Sequence, residues 1–329
     1  MAIIETQNLT KKFGTFTAVD GVSLDISEGE IFGLLGPNGA GKTTTISMLC
    51  TILKPTSGKA YVDGFDVDKD QDRVRKSIGI VFQDGSLDEE LTAMENLEMH
   101  GRLYGMDRAK IKERSEEVLK IVELADRKND LVKTFSGGMR RRLEIGRGLM
   151  HFPKVLFLDE PTIGLDPQTR DHIWEYIVKL NREQGVTLVL TTHYMEEAEK
   201  LCNRIAIIDH AKIILLGTPE ELKAKLDGLN TISIVPAKDQ LEKFKSMLES
   251  QKFVNKLQKT ETALNLFVTD QKTAFPLILD LATKNSIKIE SIETHKPSLN
   301  DVFIHFTGRE LRKEEAEGMG AMMRSRMRR

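Results

Sequence analysis

The octapeptide GPNGAGKT, Gly36 to Thr43, constrains this chain more than any other stretch. It matches G-x-x-x-x-G-K-[ST] at every fixed position. Ahead of it, Ile31 to Leu35 (IFGLL) is short and apolar throughout, the composition of a buried strand. Behind it, residues 44–53 predict a helix that opens at Lys42 and halts before Pro55. Strand, glycine loop and helix in that order build a phosphate cradle, because glycines let the chain turn tightly enough for successive N–H groups to converge on phosphate oxygens. The helix start adds its dipole and unpaired N–H groups. The loop residues Gly36, Pro37, Asn38, Gly39, Ala40, Gly41, Lys42 and Thr43, with Thr44 behind them, are therefore expected to hold a nucleoside triphosphate. Lys42 should reach the β- and γ-phosphates, and the Thr43 hydroxyl should bind Mg²⁺.

The rest of the composition narrows the class. A chain of 329 residues can form one large domain and a small one. Its 48 basic and 50 acidic side chains nearly cancel, so no strong field draws nucleic acid or anionic lipid. Cys50 and Cys202 lie far apart and form no metal or redox motif; they fit a reducing compartment and read as buried apolar side chains. The opening MAIIETQNLTKKFG lacks the apolar core of a signal peptide, and no apolar run reaches the length of a bilayer span. The expectation is a soluble protein that meets a membrane only through a separate partner.

A second set of groups falls where the loop needs it. Val155 to Leu158 (VLFL) reads as a buried parallel strand, and Asp159 and Glu160 follow at its carboxyl end. Ligands of open α/β sheets sit beyond that edge. Asp159 is then placed to hold the Mg²⁺ shell, and Glu160 to orient or deprotonate an attacking water; the alternative is that Asp-Glu-Pro merely caps the next helix. A third strand, Thr187 to Thr191, leads through Thr192 into His193, which can meet a γ-phosphate at the same edge. A histidine at a strand end is more often structural, and only this coincidence of position separates His193 from the other six, at 100, 151, 172, 210, 295 and 305. Between the second strand and the glycine loop, Ser136, Gly137 and Gly138 open a helix with Leu143, Ile145, Leu149 and Met150 among its apolar residues. Such a start suits an anion. One chain already has its glycine loop, so a second anion site suggests a pocket shared between two copies; the plainer reading is an ordinary serine cap.

In order and spacing these motifs resemble the ATPase subunit of ATP-binding cassette (ABC) transporters, over about residues 2–217. The resemblance implies that Gly36 to Thr43 is the Walker A loop and Val155 to Glu160 the Walker B strand with its catalytic glutamate. Phe135 to Met139 looks like the signature LSGGQ, with phenylalanine for leucine and methionine for glutamine at its ends. Gln83 matches the Q-loop glutamine that couples Mg²⁺ and water to the membrane subunit, Asp166 in Gly-Leu-Asp the D-loop, and His193 the switch histidine. Phe13 takes the place of the aromatic residue that stacks on adenine. The implied fold is α/β: a RecA-like P-loop NTPase core, an antiparallel β subdomain over about 2–30 and 59–67, and a helical insertion over about 87–150. Within that insertion, Thr92 and Glu95 make a capping-box pattern, and residues 108–125 predict an amphipathic helix. Met94, Met99 and Met106 read as core or coupling surface.

From residue 218 to about 310 the pattern changes. A short helix (220–226, stopped by Asp227-Gly228) precedes strands at 231–235, 254–259, 264–268 and 287–292 and helices at 238–250 and 272–284. That βαββαβ order predicts a small α+β, ferredoxin-like accessory domain. It carries no catalytic constellation, and a role in stabilising a dimer is preferred to ligand sensing. Its closing phrase, Pro297 to Phe303, resembles that of the daunorubicin-resistance-type drug exporters, as do Ser136 to Arg142 and Gly164 to Thr169. The final segment, 311–329, is basic at its end and expected to be a disordered tail.

The resemblance implies an ATP-binding and hydrolysing subunit, peripheral on the cytoplasmic face of the membrane, that powers efflux of a drug or other hydrophobic compound. Two copies would sandwich two ATP molecules, with Mg²⁺ as cofactor, and would drive a separate polytopic permease; no nucleic-acid partner is expected. The alternative is a soluble ABC ATPase acting on ribosomes or DNA. Such relatives usually join two cassettes or insert coiled coils or zinc motifs, and this chain has one cassette and two unpaired cysteines.

Overall fold

The computed structural model describes residues 2–226, 230–295 and 297–307, so the readings made for Asp227-Gly228 and for the tail beyond 310 lie outside the described residues. The chain divides into two compact units between Leu216 and Gly217.

The first unit runs through β1 (Ala2–Phe13), β2 (Phe16–Ser27), β3 (Ile31–Leu35), α1 (Lys42–Leu49), β4 (Ser57–Val62), β5 (Phe65–Asp66), α2 (Gln71–Ser77) and β6 (Ile78–Val81). It continues with α3 (Ala93–Leu103), α4 (Arg108–Ile121), α5 (Gly137–Gly148), β7 (Val155–Asp159), α6 (Pro167–Gln184), β8 (Thr187–Thr192), α7 (Met195–Leu201), β9 (Arg204–Asp209) and β10 (Lys212–Gly217). Two sheets result. One is antiparallel, in the order β2-β1-β4-β5. The other has the order β10-β9-β3-β8-β7-β6, with parallel pairing from β9 across to β6. Every residue of β3, β7 and β8 is buried. That is why Ile31–Leu35 and Val155–Leu158 read as apolar runs rather than alternations, and why even the threonines of β8 are buried: both faces of a parallel sheet are covered. Ile4, Val22, Ile46, Met48, Phe32, Phe157 and Val189 share one core that joins the two sheets. This is the expected α/β core with its antiparallel subdomain and its intervening helices.

Several boundaries differ from expectation for local backbone reasons. The helix behind the glycine loop ends at Leu49 rather than 53, because Thr51 adopts a left-handed φ of 63°. The helix expected over 108–125 ends at Ile121; Glu123 has φ 56°, and Ala125–Arg127 forms a separate 3₁₀ turn. The Thr92–Glu95 capping box forms as the pattern predicts, in both directions. Strands β9 and β10 were not predicted. Their connecting residues, His210 and Ala211, have φ of 45° and 67°, a tight hairpin turn made without the Asn-Gly or Asp-Gly pair that usually signals one. Both cysteines are free and buried: Cys50 caps α1, and the Cys202 sulfur fills the space where a side chain on Gly33 would lie.

The second unit contains α8 (Pro219–Ala224), β11 (Asn230–Pro236), α9 (Leu241–Glu249), β12 (Val254–Lys259), β13 (Leu264–Val268), α10 (Gln271–Lys284), β14 (Ile289–His295) and α11 (Leu299–Thr307). Its sheet order is β12-β13-β11-β14, antiparallel throughout. That is the ferredoxin-like arrangement expected of βαββαβ, built on Ile232, Ile234, Phe244, Leu248, Leu266 and Ile278. Residues 238–240 form a 3₁₀ turn ahead of α9, and the last strand starts two residues later than predicted, after a left-handed Ser286. Helix α11 is an addition. It opens on a reciprocal cap in which Ser298 and Asp301 exchange hydrogen bonds. Among the described residues, no helix is long and apolar enough to cross a membrane.

Candidate functional site

Parallel register brings the three candidate strand ends to one edge. Leu35 pairs with Thr192 and Asp159 with Thr191, so the glycine loop, Asp159-Glu160 and His193 leave the sheet side by side. The loop itself is fixed by close approaches that only glycine permits. A Cβ on Gly36 would stand 2.2 Å from the Ile208 carbonyl oxygen. Gly41, which caps α1 with φ 106°, would set its Cβ 2.4 Å from the Ala18 carbonyl oxygen. Pro37 and Ala40 are buried, whereas Asn38, Gly39 and Thr43 face outward and Thr44 is half-buried.

Lys42 is buried and bends back over the loop, donating to the carbonyls of Gly36 at 2.8 Å and Pro37 at 3.1 Å. Its ammonium also lies 3.5 Å from Glu160 Oε1, and Nδ1 of His193 lies 2.7 Å from Glu160 Oε2. Burial pushes the Glu160 carboxyl up, but the His193 hydrogen bond, the His193 charge and the Lys42 charge together outweigh it and hold the group below the usual carboxylate value. Glu160 itself sits at φ 49°, a left-handed conformation rare for a non-glycine residue, and its N–H donates to the Thr191 hydroxyl at 3.0 Å.

The Thr43 hydroxyl donates to Asp159 Oδ1 at 3.1 Å, and the Thr191 hydroxyl donates to the same oxygen. An outward-facing hydroxyl beside a buried carboxylate, at a helix start, is a hard oxygen donor set of the kind Mg²⁺ accepts together with water and phosphate. The residues present fit that ion. Gln83 is exposed just beyond β6, and among the described residues no hydrogen bond joins it to Thr43 or Asp159.

The remaining candidates fall into two further groups. Ser136 caps α5 through a hydrogen bond from the Met139 N–H at 3.3 Å, with Gly137 and Gly138 as the first helical residues. Gly138 packs against Thr169 of α6, and Thr169 donates through both its N–H and its hydroxyl to Asp166, the cap of that helix. These bonds, the hydroxyl first and then the N–H, lower the Asp166 carboxyl. Phe13 ends β1, 48% exposed, with the Lys11 ammonium 5.1 Å from its ring centre.

Two residues of the site escaped the sequence reading. Thr191 looks like any strand residue, yet it anchors both Asp159 and Glu160. Glu197 of α7 is buried and accepts from the Thr162 hydroxyl at 2.7 Å and the Trp174 indole at 2.8 Å. Burial raises its carboxyl above the ordinary value despite these donors. The signal was a second acid on the inward face of a short helix.

This arrangement is that of a P-loop ATPase, and comparison with known proteins gives the family. Residues 19–163 match the ABC transporter family, and residues 217–307 match the C-terminal domain of DrrA1-3-like ATP-binding proteins. The linearmycin resistance ATP-binding protein LnrL of Bacillus subtilis is 41% identical over 313 residues, covering 94% of this chain and all (100%) of the relative. The daunorubicin/doxorubicin resistance ATP-binding protein DrrA of Streptomyces peucetius is 40% identical, covering 93% of this chain and 92% of that one. Among solved structures, cbiO1 from Clostridium perfringens, part of the ABC transporter complex cbiONQ, superposes with a TM-score of 0.64 at 30% identity, over 68% of this chain and 91% of its own. The ATP-binding cassette MJ0796, solved as a dimer bound to ADP and Pi, gives 0.58 at 32% identity, over 65% and 98% of the two chains. The chain belongs to the ATPase subunits of ABC transporters, in the group that carries a DrrA1-3-like C-terminal domain, and its activity is ATP hydrolysis.

Proposed function

We propose that this subunit powers efflux of a drug or other hydrophobic compound through a separate polytopic membrane protein, on whose cytoplasmic side it is bound. The relatives named for resistance to linearmycin and daunorubicin support the cargo class. The observation that carries the chemistry is the convergence of Lys42 and His193 on the Glu160 carboxylate at the carboxyl edge of the parallel sheet.

In this reading the loop amides and Lys42 hold the β- and γ-phosphates, and Phe13 stacks on adenine. Magnesium, when bound, supplies neutralisation of phosphate charge; Thr43 and Asp159 would hold it, with Gln83 joining from its loop. Glu160 orients the attacking water and accepts its proton, as its ionised state permits. His193 contacts the γ-phosphate and keeps Glu160 oriented. Most of the rate then comes from charge neutralisation and positioning rather than from covalent chemistry. Ser136, Gly137, Gly138 and Asp166 face the nucleotide of a second copy, so two chains close on two ATP molecules. The cassette would comprise about 2–217, with the helical insertion at about 87–150, followed by an accessory domain from 218.

A pull-down from solubilised native membranes with tagged Glu160→Gln, ATP and Mg²⁺ tests the transporter reading. Recovery of a polytopic membrane protein is the expected result. Recovery of ribosomes, nucleic acid or soluble proteins alone would overturn it.

A further inference from the structure

Arg141 gathers five hydrogen bonds at the edge of the site described so far. It lies on α5, one turn beyond the Ser136 cap, and is 7% exposed. Its Nε donates to the Pro161 carbonyl at 2.8 Å, and one terminal nitrogen donates to the carbonyls of Asp159 at 3.1 Å and Glu160 at 3.2 Å. The other donates to the Phe82 carbonyl at 2.7 Å and to Glu144 at 2.9 Å. The second Glu144 oxygen accepts the N–H of Ser86 at 2.9 Å, and Arg147, further along α5, donates to the Ser86 carbonyl at 2.7 Å. The loop segment 82–86, with Gln83 inside it, is thus bracketed at both ends by side chains of α5. Arg141 and Glu144 line, with Gln83 and Pro161, a cleft of ≈ 250 Å³.

A buried guanidinium persists only where its N–H groups are matched. Here three of the five acceptors are main-chain carbonyls of consecutive residues, centred on Glu160. That residue holds a left-handed φ that the surrounding structure must maintain. Thr191 holds its N–H side, and Arg141 holds its carbonyl side.

We propose that Arg141 is a positioning residue for hydrolysis, which holds the Glu160 turn in its reactive conformation and ties that turn, through Phe82 and Glu144, to the loop carrying Gln83. A shift of the loop is then felt at the carboxylate through one planar group. Lysine keeps the charge but has no fork to span acceptors from two segments. The inference rests on Glu160 carrying hydrolysis.

The test uses the full-length chain, with steady-state hydrolysis of ATP measured beside equilibrium binding of a fluorescent ATP analogue and thermal unfolding. Arg141→Lys should lower kcat about tenfold or more while analogue affinity stays within about twofold of wild type. Glu144→Gln, which removes the charge that pins the fork but keeps an acceptor, should show the same split to a smaller degree. This second variant decides the matter if the first does not fold. In the double variant Gln83→Ala/Arg141→Lys, kcat should fall no further than in the worse single variant. The proposal is overturned if kcat stays within about twofold of wild type, or falls only in proportion to the loss of binding-competent protein. Multiplicative losses in the double variant would overturn the link to Gln83. Glu160→Gln, assayed in parallel, separates the two readings: wild-type turnover there removes the role of Glu160 itself, whereas lost turnover beside a normal Arg141→Lys removes only that of Arg141.

Discussion

Glu160 and His193 face each other across the ends of β7 and β8, with Oε2 and Nδ1 2.7 Å apart, and Lys42 approaches the other carboxylate oxygen at 3.5 Å. The pair has a pH signature. Because the folded-state pKa of Glu160 lies below its unfolded value, the stabilisation from this cluster is fully present above the unfolded carboxylate range, about pH 4.5, and is lost as pH falls through the lower folded value. The difference in urea unfolding free energy between wild type and Glu160→Gln should therefore shrink as pH falls below that range. The same variant should lose steady hydrolysis yet still form a nucleotide-bound dimer; hydrolysis at the wild-type rate would remove Glu160 from the chemistry.

Ser136 has a local and a remote role that separate cleanly. As the cap of α5 it accepts the Met139 N–H, and Ser136→Ala should cost about 1 kcal/mol of unfolding free energy on that account. If Ser136 also meets the ATP of a second copy, turnover should fall by well over the effect of that small destabilisation, with nucleotide binding by the monomer intact. Unchanged hydrolysis would leave only the cap.

Gly36→Ala tests the backbone of the loop. The added methyl would stand 2.2 Å from the Ile208 carbonyl oxygen, so either the loop or β9 must move. A loss of about 1–3 kcal/mol in denaturant unfolding is expected, together with weakened ATP binding. Wild-type stability and affinity would mean that the strand end yields without strain.

Away from the nucleotide edge, Tyr104 stacks on His151 at 3.7 Å between ring centres, with His100 at 4.9 Å from Tyr104. Burial, then the charges of Arg147 and His151, bring the His100 pKa down to about 4. The folded chain thus keeps His100 neutral while the unfolded chain takes up a proton below its ordinary value of 6.5, and stability should fall as pH drops from there toward 4. Replacing His100 by Phe should flatten that decline by up to about 1.4 kcal/mol per pH unit. An unchanged slope would place the proton uptake elsewhere.

What the sequence revealed was what is contiguous. The glycine loop, Asp159-Glu160, the Thr92–Glu95 cap and the apolar runs of β3 and β7 each lie within a few residues and carry their own pattern. The Arg141 network does not. Its acceptors are main-chain carbonyls at 82 and 159–161, which any residue type would supply, so nothing in the sequence marks them. The i,i+3 spacing of Arg141 and Glu144, which escaped the sequence reading, is the one signal that could have suggested a pair. The β9–β10 hairpin was hidden because His210 and Ala211 take positive φ without the usual turn residues, and the end of α4 because Glu123 does the same. Helix α11 did carry a readable cap, Ser298 with Asp301, ahead of an apolar run.

The two thiols lie at informative places. Cys50 ends the helix that begins at the glycine loop, and Cys202 ends the one that follows His193. Both are buried, and burial raises both thiol pKa values far above the ordinary range, so neither offers a thiolate to reagent while the core is closed. A thiol-reactive dye added to the folded protein will therefore be consumed only as fast as these helix ends breathe. The chain carries its own clock for opening of the nucleotide core, and a nucleotide that binds the closed form must slow it.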